Sequence, residues 1–277
     1  MRRALVTGAA GGLGRAFAEA LAARGCALVL TDRDPDGLKE MQRAHPGAEV
    51  VVADLASPEG RGMLCERLEA EGQPIDVLVN NAGYDHPGLA TDLTDAVLTT
   101  YAAVNLTAPM VLSAAAVRAM TRQGGGHVFS VASLGGIFPM KGSAAYSGTK
   151  FGLRGFTAAL ALEAEGTGVH VGAIYPSAID TPMLQREMRH PDSSPLNFVG
   201  DAEPLSPQAV VAASLDAMDA RRLETWLPSG EGRMGHLVMA IPSLLFRVNR
   251  WLEQQGNRKK VTYLRSIGVD PGSTRGA

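Results

Sequence analysis

Cysteine is scarce in this chain of 277 residues, which holds only Cys26 and Cys65. Both lie in apolar or helical stretches without metal-ligand spacing. That argues against a disulfide framework or a thiolate metal centre and for reduced packing residues of a cytosolic chain. An excess of one charge is missing too. Lys and Arg number 26 against 28 Asp and Glu, a formal net charge of −2, so nothing global speaks for a nucleic-acid partner. No uninterrupted apolar run approaches the ~20 residues of a membrane span. The N-terminal M-R-R-A-L-V-T-G passes directly into a strand-like run and is too short for a signal peptide. These absences set the expectation of a cytoplasmic protein. What is present, 45% hydrophobic and 19% charged residues, suffices for one large α/β domain or two small ones.

Apolar strand-like runs alternate with helical periodicity along the chain. Residues 4–6 end in T-G-A-A-G-G-L-G (Thr7 to Gly14), and a helical run 15–24 follows. Strand, glycine turn, helix is a device for phosphate: glycines let the backbone come close, and the first N–H groups of the helix point at the anion. A second strand, 26–30, ends in Thr31-Asp32-Arg33. A carboxylate about twenty residues past the glycines can accept from both ribose hydroxyls of an adenosine and repels a 2′-phosphate, so Asp32 favours NAD over NADP. Arg33 could meet the extra phosphate, but a solvated charge is the preferred reading. The third strand, 49–53, ends at Asp54-Leu55, where the carboxylate meets an adenine amino group or caps a helix starting near Pro58. The fourth, 75–79, ends in Asn80-Asn81-Ala82-Gly83, amides suited to holding strand ends beside a crevice. Asn105 interrupts a long helical run, 94–122. On its own it reads first as a satisfied core amide.

The fifth strand, 127–132, ends at Ser133, and S-A-A-Y-S-G-T-K-F-G-L follows from Ser143. Tyr146 and Lys150 stand four apart on a helical run, which places both on one face about 5–6 Å apart at Cβ. A cation beside a phenol favours the phenolate, and bringing a phenol from about 10 to about 7 requires roughly 4 kcal/mol. The sixth strand, 169–175, is closed by P-S-A-I-D-T-P, and 224–227 reads as a seventh. The motifs all fall at carboxyl ends of strands, where an open α/β sheet binds its ligand.

Taken together, T-G-A-A-G-G-L-G, Asp54-Leu55, N-N-A-G, Asn105, Ser133, Y-S-G-T-K and P-S-A-I-D-T resemble, in order, the motifs of the short-chain dehydrogenase/reductase family over about residues 3–228. The resemblance implies a single doubly wound Rossmann-type α/β domain with a mostly parallel seven-stranded sheet. It implies an NAD(P)-dependent oxidoreductase interconverting a secondary alcohol and a ketone, with NADP the less favoured cofactor. By that resemblance Tyr146 is the general acid/base, Lys150 lowers its pKa and bonds the nicotinamide ribose, and Ser133 polarises the substrate oxygen. Asn105 retains a water of a proton relay. Cofactor contacts are expected at Gly8, Gly12, Leu13, Gly14, Asp32, Asp54, Leu55, Asn81, Ala82, Gly83, Tyr146, Lys150, Pro176, Ile179 and Thr181. Homodimers or homotetramers, built through the helices after the fourth and fifth strands, are common in the family. Ser177 departs from its pattern, standing where glycine is usual. A rival from another class is a nucleotide-sensing or scaffold protein that kept the fold without the chemistry.

The expected organisation is a catalytic domain, 1–232, with a substrate lid at about 181–205, and a helical extension, 233–277. Met183, Leu184 and Met188 offer adaptable apolar contacts to a hydrophobic substrate, although a plain surface connector fits the same composition. Residues 235–254 recur in helical period and, with Arg247, Arg250, Arg258, Lys259 and Lys260, form a basic amphipathic stretch over 235–260. It suits a membrane surface. Packing over the cleft or a subunit interface is the preferred reading. Pro242 argues against one uninterrupted helix, and disorder is expected beyond Asp270.

Overall fold

The structure, a computed structural model, describes residues 2–199 and 204–270. Strand β1 (Arg3–Thr7) leads through the glycine turn into α1 (Gly12–Ala23); β2 (Ala27–Asp32), α2 (Pro35–Ala44), β3 (Glu49–Val52), α3 (Pro58–Glu69) and β4 (Val77–Asn80) follow. The second half runs α4 (Asp95–Ala102), α5 (Ala108–Arg122), β5 (Gly126–Val131), α6 (Ala144–Glu163), β6 (Val169–Pro176), α7 (Pro182–Arg189), α8 (Pro207–Asp219), β7 (Glu224–Leu227), α9 (Ser229–Ala240) and α10 (Pro242–Ser266). Helix starts are written locally. Asp34, Ser57, Thr94, Thr181 and Ser206 each accept a backbone N–H of the following turn, and proline stands in the first turn at four of these five.

The sheet order is β3-β2-β1-β4-β5-β6-β7 and every pairing is parallel, more uniform than the mostly parallel sheet expected. Side chains alternate between its faces. Ala4 and Val6 pack with Phe17 and Leu21 of α1 and Leu215 of α8, whereas Leu5 joins Leu64 of α3 and Leu112 of α5. Both faces are therefore covered, and each fully buried Phe or Leu contributes about 1.5–3 kcal/mol. Strand order reverses between β1 and β4, which opens a crevice at their carboxyl ends.

Two expectations change in detail, and the break expected at Pro242 is present. The helix expected over 94–122 is broken by a π turn, Ala103–Thr107, that carries Asn105. Counted as one helix, Asp95–Arg122 is apolar and long enough to span a membrane, contrary to the reading of the sequence. Its inward residues Ala108, Leu112, Ala115, Ala116 and Met120 are fully buried against the sheet, as in the core helix of an α/β domain. The stretch 235–254 divides at Ile241, because Pro242 begins a new helix. α10 lies on the turn Pro195–Phe198, where Gly256 approaches so closely that a Cβ would stand 1.9 Å from the Pro195 carbonyl oxygen. The tail beyond Asp270 and residues 200–203 of the lid lie outside the described residues.

Candidate active site

The glycine turn is built around close backbone approaches. Gly8 has φ 65° and a Cβ there would meet the Ala82 Cα at 2.8 Å; one on Gly14 would strike the Gly8 carbonyl oxygen. Asn81 ties this turn to β4: its Nδ2 donates to the carbonyls of Thr7 and Gly8 at 2.9 and 3.2 Å, and the Thr7 hydroxyl accepts the N–H groups of Asn81 and Ala82. The Asp32 carboxylate accepts from Ala10 N at 3.0 Å and Asp34 N at 3.1 Å, and so is fixed at the end of β2. Asp54 accepts from Ala56 N in a tight turn. The cap of α3 is Ser57, so Asp54 does not take the capping role. Thr181 caps α7 and lies against Gly12, so the lid starts directly over the glycine turn.

A single cavity of about 1170 Å³ joins these elements. Its walls include Gly8, Gly12, Leu13, Gly14, Asp32, Asp54, Leu55, Asn81, Ala82, Gly83, Ser133, Tyr146, Lys150, Pro176, Ile179 and Thr181. Of the catalytic and cofactor-binding residues expected from the sequence, Asn105 alone is not on the wall. It sits behind it, 1% exposed, with Oδ1 accepting Tyr84 N at 2.7 Å and Nδ2 donating to Tyr84 O at 2.8 Å. The π turn aims this amide at the loop after β4, where its side chain holds the Tyr84 backbone. Ser177 gives no strain: Arg221 is the one non-glycine residue with positive φ among the described residues.

Tyr146 and Lys150 share the inner face of α6, with Lys150 Nζ 5.6 Å from the phenol ring centre. Nζ donates to the Val131 carbonyl at 3.0 Å, and Gly136 packs on the Lys150 backbone so closely that no Cβ fits. Ser133, in extended backbone at the end of β5, accepts Gly135 N at 3.0 Å, and its hydroxyl faces the Tyr146 phenol. Burial pushes the Tyr146 phenol above its ordinary value; the Ser133 hydroxyl opposes this, and the Asp85 and Glu187 charges add to it. Burial also depresses Lys150 to about 8, against a smaller upward pull from Asp85.

Two further cavity residues escaped the sequence reading. Asp85, just after β4, accepts from the Tyr101 hydroxyl at 2.9 Å, and Glu187 of α7 accepts from Asn197 Nδ2. The two carboxyls hydrogen-bond each other. Burial, then the Asp85 charge, pushes Glu187 up to about 8, and burial also raises Asp85. The available signal was a lone glutamate in the lid segment M-L-Q-R-E-M-R, which pattern alone assigns to a solvated face. The wall also carries apolar side chains, among them Phe138, Met140, Leu184, Met188, Phe198 and Val238.

The chain is 35% identical over 186 residues to the 3-oxoacyl-(acyl-carrier-protein) reductase FabG of Escherichia coli, covering 66% of this chain and 75% of the relative. Among solved structures it resembles a short-chain dehydrogenase from Sphingobium yanoikuyae in complex with NADPH, at 28% identity and TM-score 0.75, over 88% of this chain and 95% of that one. It also resembles a bulky-bulky ketone specific alcohol dehydrogenase from Comamonas testosteroni, at 26% identity and TM-score 0.73, over 88% and 94% of the two chains. The family profile for short chain dehydrogenases matches residues 2–192. With the parallel sheet, the glycine turn and the Ser133–Tyr146–Lys150 wall, these similarities make the chain an oxidoreductase of the short-chain dehydrogenase/reductase family.

Proposed function

We propose that the protein interconverts a hydrophobic secondary alcohol and its ketone with NAD as the favoured cofactor. The observation that carries this reading is the gathering of Ser133, Tyr146 and Lys150 in one cavity with the glycine turn and an apolar wall. The cradle fits a dinucleotide: Gly8 and Gly14 leave no room for a Cβ, the start of α1 faces the cavity, and Asp32 stands at the end of β2. Gly8, Gly12, Leu13 and Gly14 would hold its phosphates, Asp32 and Asp54 its adenosine, and Lys150, Ile179 and Thr181 its nicotinamide half. The bound cofactor supplies the hydride acceptor or donor.

This chain's own residues handle the proton. Ser133 Oγ holds the substrate oxygen, and Tyr146 Oη takes a proton from the alcohol or gives one to the ketone. Lys150, buried and anchored on Val131, stabilises negative charge on that phenol when the proton leaves. Asn105 fixes the Tyr84 loop that borders the cavity. α7 and the turn at 195–198 cover the substrate end, with α10 as their outer support, and water exclusion there strengthens each polar contact. We assign the catalytic domain to residues 1–232, the extension to 233–277 and the location to the cytoplasm, in keeping with unpaired Cys26 and Cys65. Self-association into dimers or tetramers fits the strongly exposed Leu162 on α6 and Val111 on α5.

The first test is fluorescence binding of NADH against NADPH, followed by turnover of a panel of aryl and long-chain secondary alcohols. Preference for NADH with turnover supports the reading. Preference for NADPH transfers the adenosine site to Arg33 and Arg15, both on the cavity wall. Binding of neither returns the protein to the scaffold alternative.

A further inference from the structure

We propose that the outward faces of α9 and α10 form a docking surface for an anionic lipid bilayer, with the cavity rim at the point of contact. Packing fixes which face of α10 looks outward. Gly256, Lys260 and Leu264 are buried against the lid and the body, Gly256 on Pro195 and Lys260 with Nζ donating to the Ser193 carbonyl. The opposite face carries Arg247, Trp251, Arg258 and Arg265, which recur at helical spacing and are all exposed. Phe246 beside them is 74% exposed and Trp251 is 57% exposed. On α9, Met234, Leu237 and Ile241 form an exposed apolar stripe at i, i+3 and i+7. Large apolar side chains gathered this way on one surface mark an interaction site.

Charge decides the partner. Residues 229–268 hold seven basic and two acidic side chains, a net +5 in a chain whose total is −2. None of Arg247, Arg250, Arg258 and Arg265 forms an ion pair among the described residues. Aromatic and aliphatic side chains alternating with unpaired arginines suit the headgroup boundary of an anionic bilayer, where rings enter the acyl edge and guanidiniums meet phosphates. A second copy of the chain is a poor occupant. A two-fold contact through this patch would set the arginines of one protomer against those of the other. Met234 belongs both to the exposed stripe and to the cavity wall, and Leu252 and Tyr263 of α10 line the same cavity. Resting on the hydrophobic substrate proposed above, docking brings that substrate from the bilayer to the cavity without passage through water.

The test needs no turnover. The full chain is sedimented with vesicles of phosphatidylcholine alone and with vesicles containing about one third phosphatidylserine, at low and at raised salt. Co-sedimentation with the anionic vesicles only, weakened by salt, is the expected result. Arg247→Glu with Arg250→Glu should lower that binding at least ~10-fold, and Phe246→Ser with Trp251→Ser should do the same while cofactor fluorescence confirms folding. A chain that stays in the supernatant at low salt, or variants that bind as the parent does, overturns the proposal. A change of oligomer mass by light scattering in the Phe246/Trp251 variant, without vesicle binding, assigns the face to self-association and overturns it equally. Turnover of alcohols in solution is read separately, so failure here leaves the proposed reaction standing.

Discussion

Asp85 and Glu187 turn their carboxyl groups towards each other inside the cavity, one from the loop after β4 and the other from the lid helix α7. Two half-buried carboxyls side by side cannot both ionise cheaply, so one proton stays between them near neutral pH. The pair links the lid to the body, and its negative charge adds to the raising of Tyr146.

Glu187 therefore confers a pH dependence on stability. Its carboxyl is held at about 8 against an ordinary 4.5. Between those values the unfolded chain releases a proton that the folded chain keeps. Stability falls as pH rises through this window, by up to about 1.4 kcal/mol per pH unit, and levels above it. Glu187→Gln should flatten the slope, which thermal unfolding at stepped pH measures. Parallel curves for parent and variant would remove the shared proton.

Tyr146→Phe keeps the ring and removes the proton carrier. Cofactor binding should be nearly unchanged and turnover should fall at least ~10²-fold, the usual scale for loss of general acid/base help. Stopped-flow or steady-state rates check this, and near-normal turnover refutes the mechanism.

Asp32→Ala removes the carboxylate facing the adenosine site and frees the N–H groups of Ala10 and Asp34. The preference for NADH over NADPH should narrow by roughly 10-fold or more, the scale of one or two charge-assisted hydrogen bonds. Unchanged selectivity in paired titrations takes Asp32 out of the site.

Asn105→Leu leaves the N–H and C=O of Tyr84 without partners in a buried place. A stability loss of about 2–4 kcal/mol is expected, with a larger fall in activity than in cofactor affinity because the loop borders the substrate end. Denaturant unfolding and the split between rate and binding decide it. Full stability in the variant would contradict the anchoring role.

Leu162 is 76% exposed on α6. Leu162→Glu should shift the protein to a smaller species by light scattering without altering its circular dichroism. An unchanged mass excludes α6 from the interface.

Much of the site was legible because its determinants are local. Glycine spacing, a carboxylate at the end of β2, the cap residues and the four-residue step from Tyr146 to Lys150 each depend on backbone geometry a few residues long. Strand ends then had to gather at one edge, since parallel strands joined by helices all point the same way. The seven strands and the residues at their carboxyl ends follow from the chain alone for that reason. Tertiary packing decided the rest. Asp85 and Glu187 are a hundred residues apart, and only the lid's return over β4 makes them a pair. The amide of Asn105 has partners in the core because a π turn aims it there, and helical periodicity cannot show that turn. The direction of the Tyr146 shift depends on how much protein surrounds the phenol, not on which residue stands four places away. Sequence made the stretch beyond Ser229 basic and amphipathic; contact of Gly256 with Pro195 chose which side of α10 faces out.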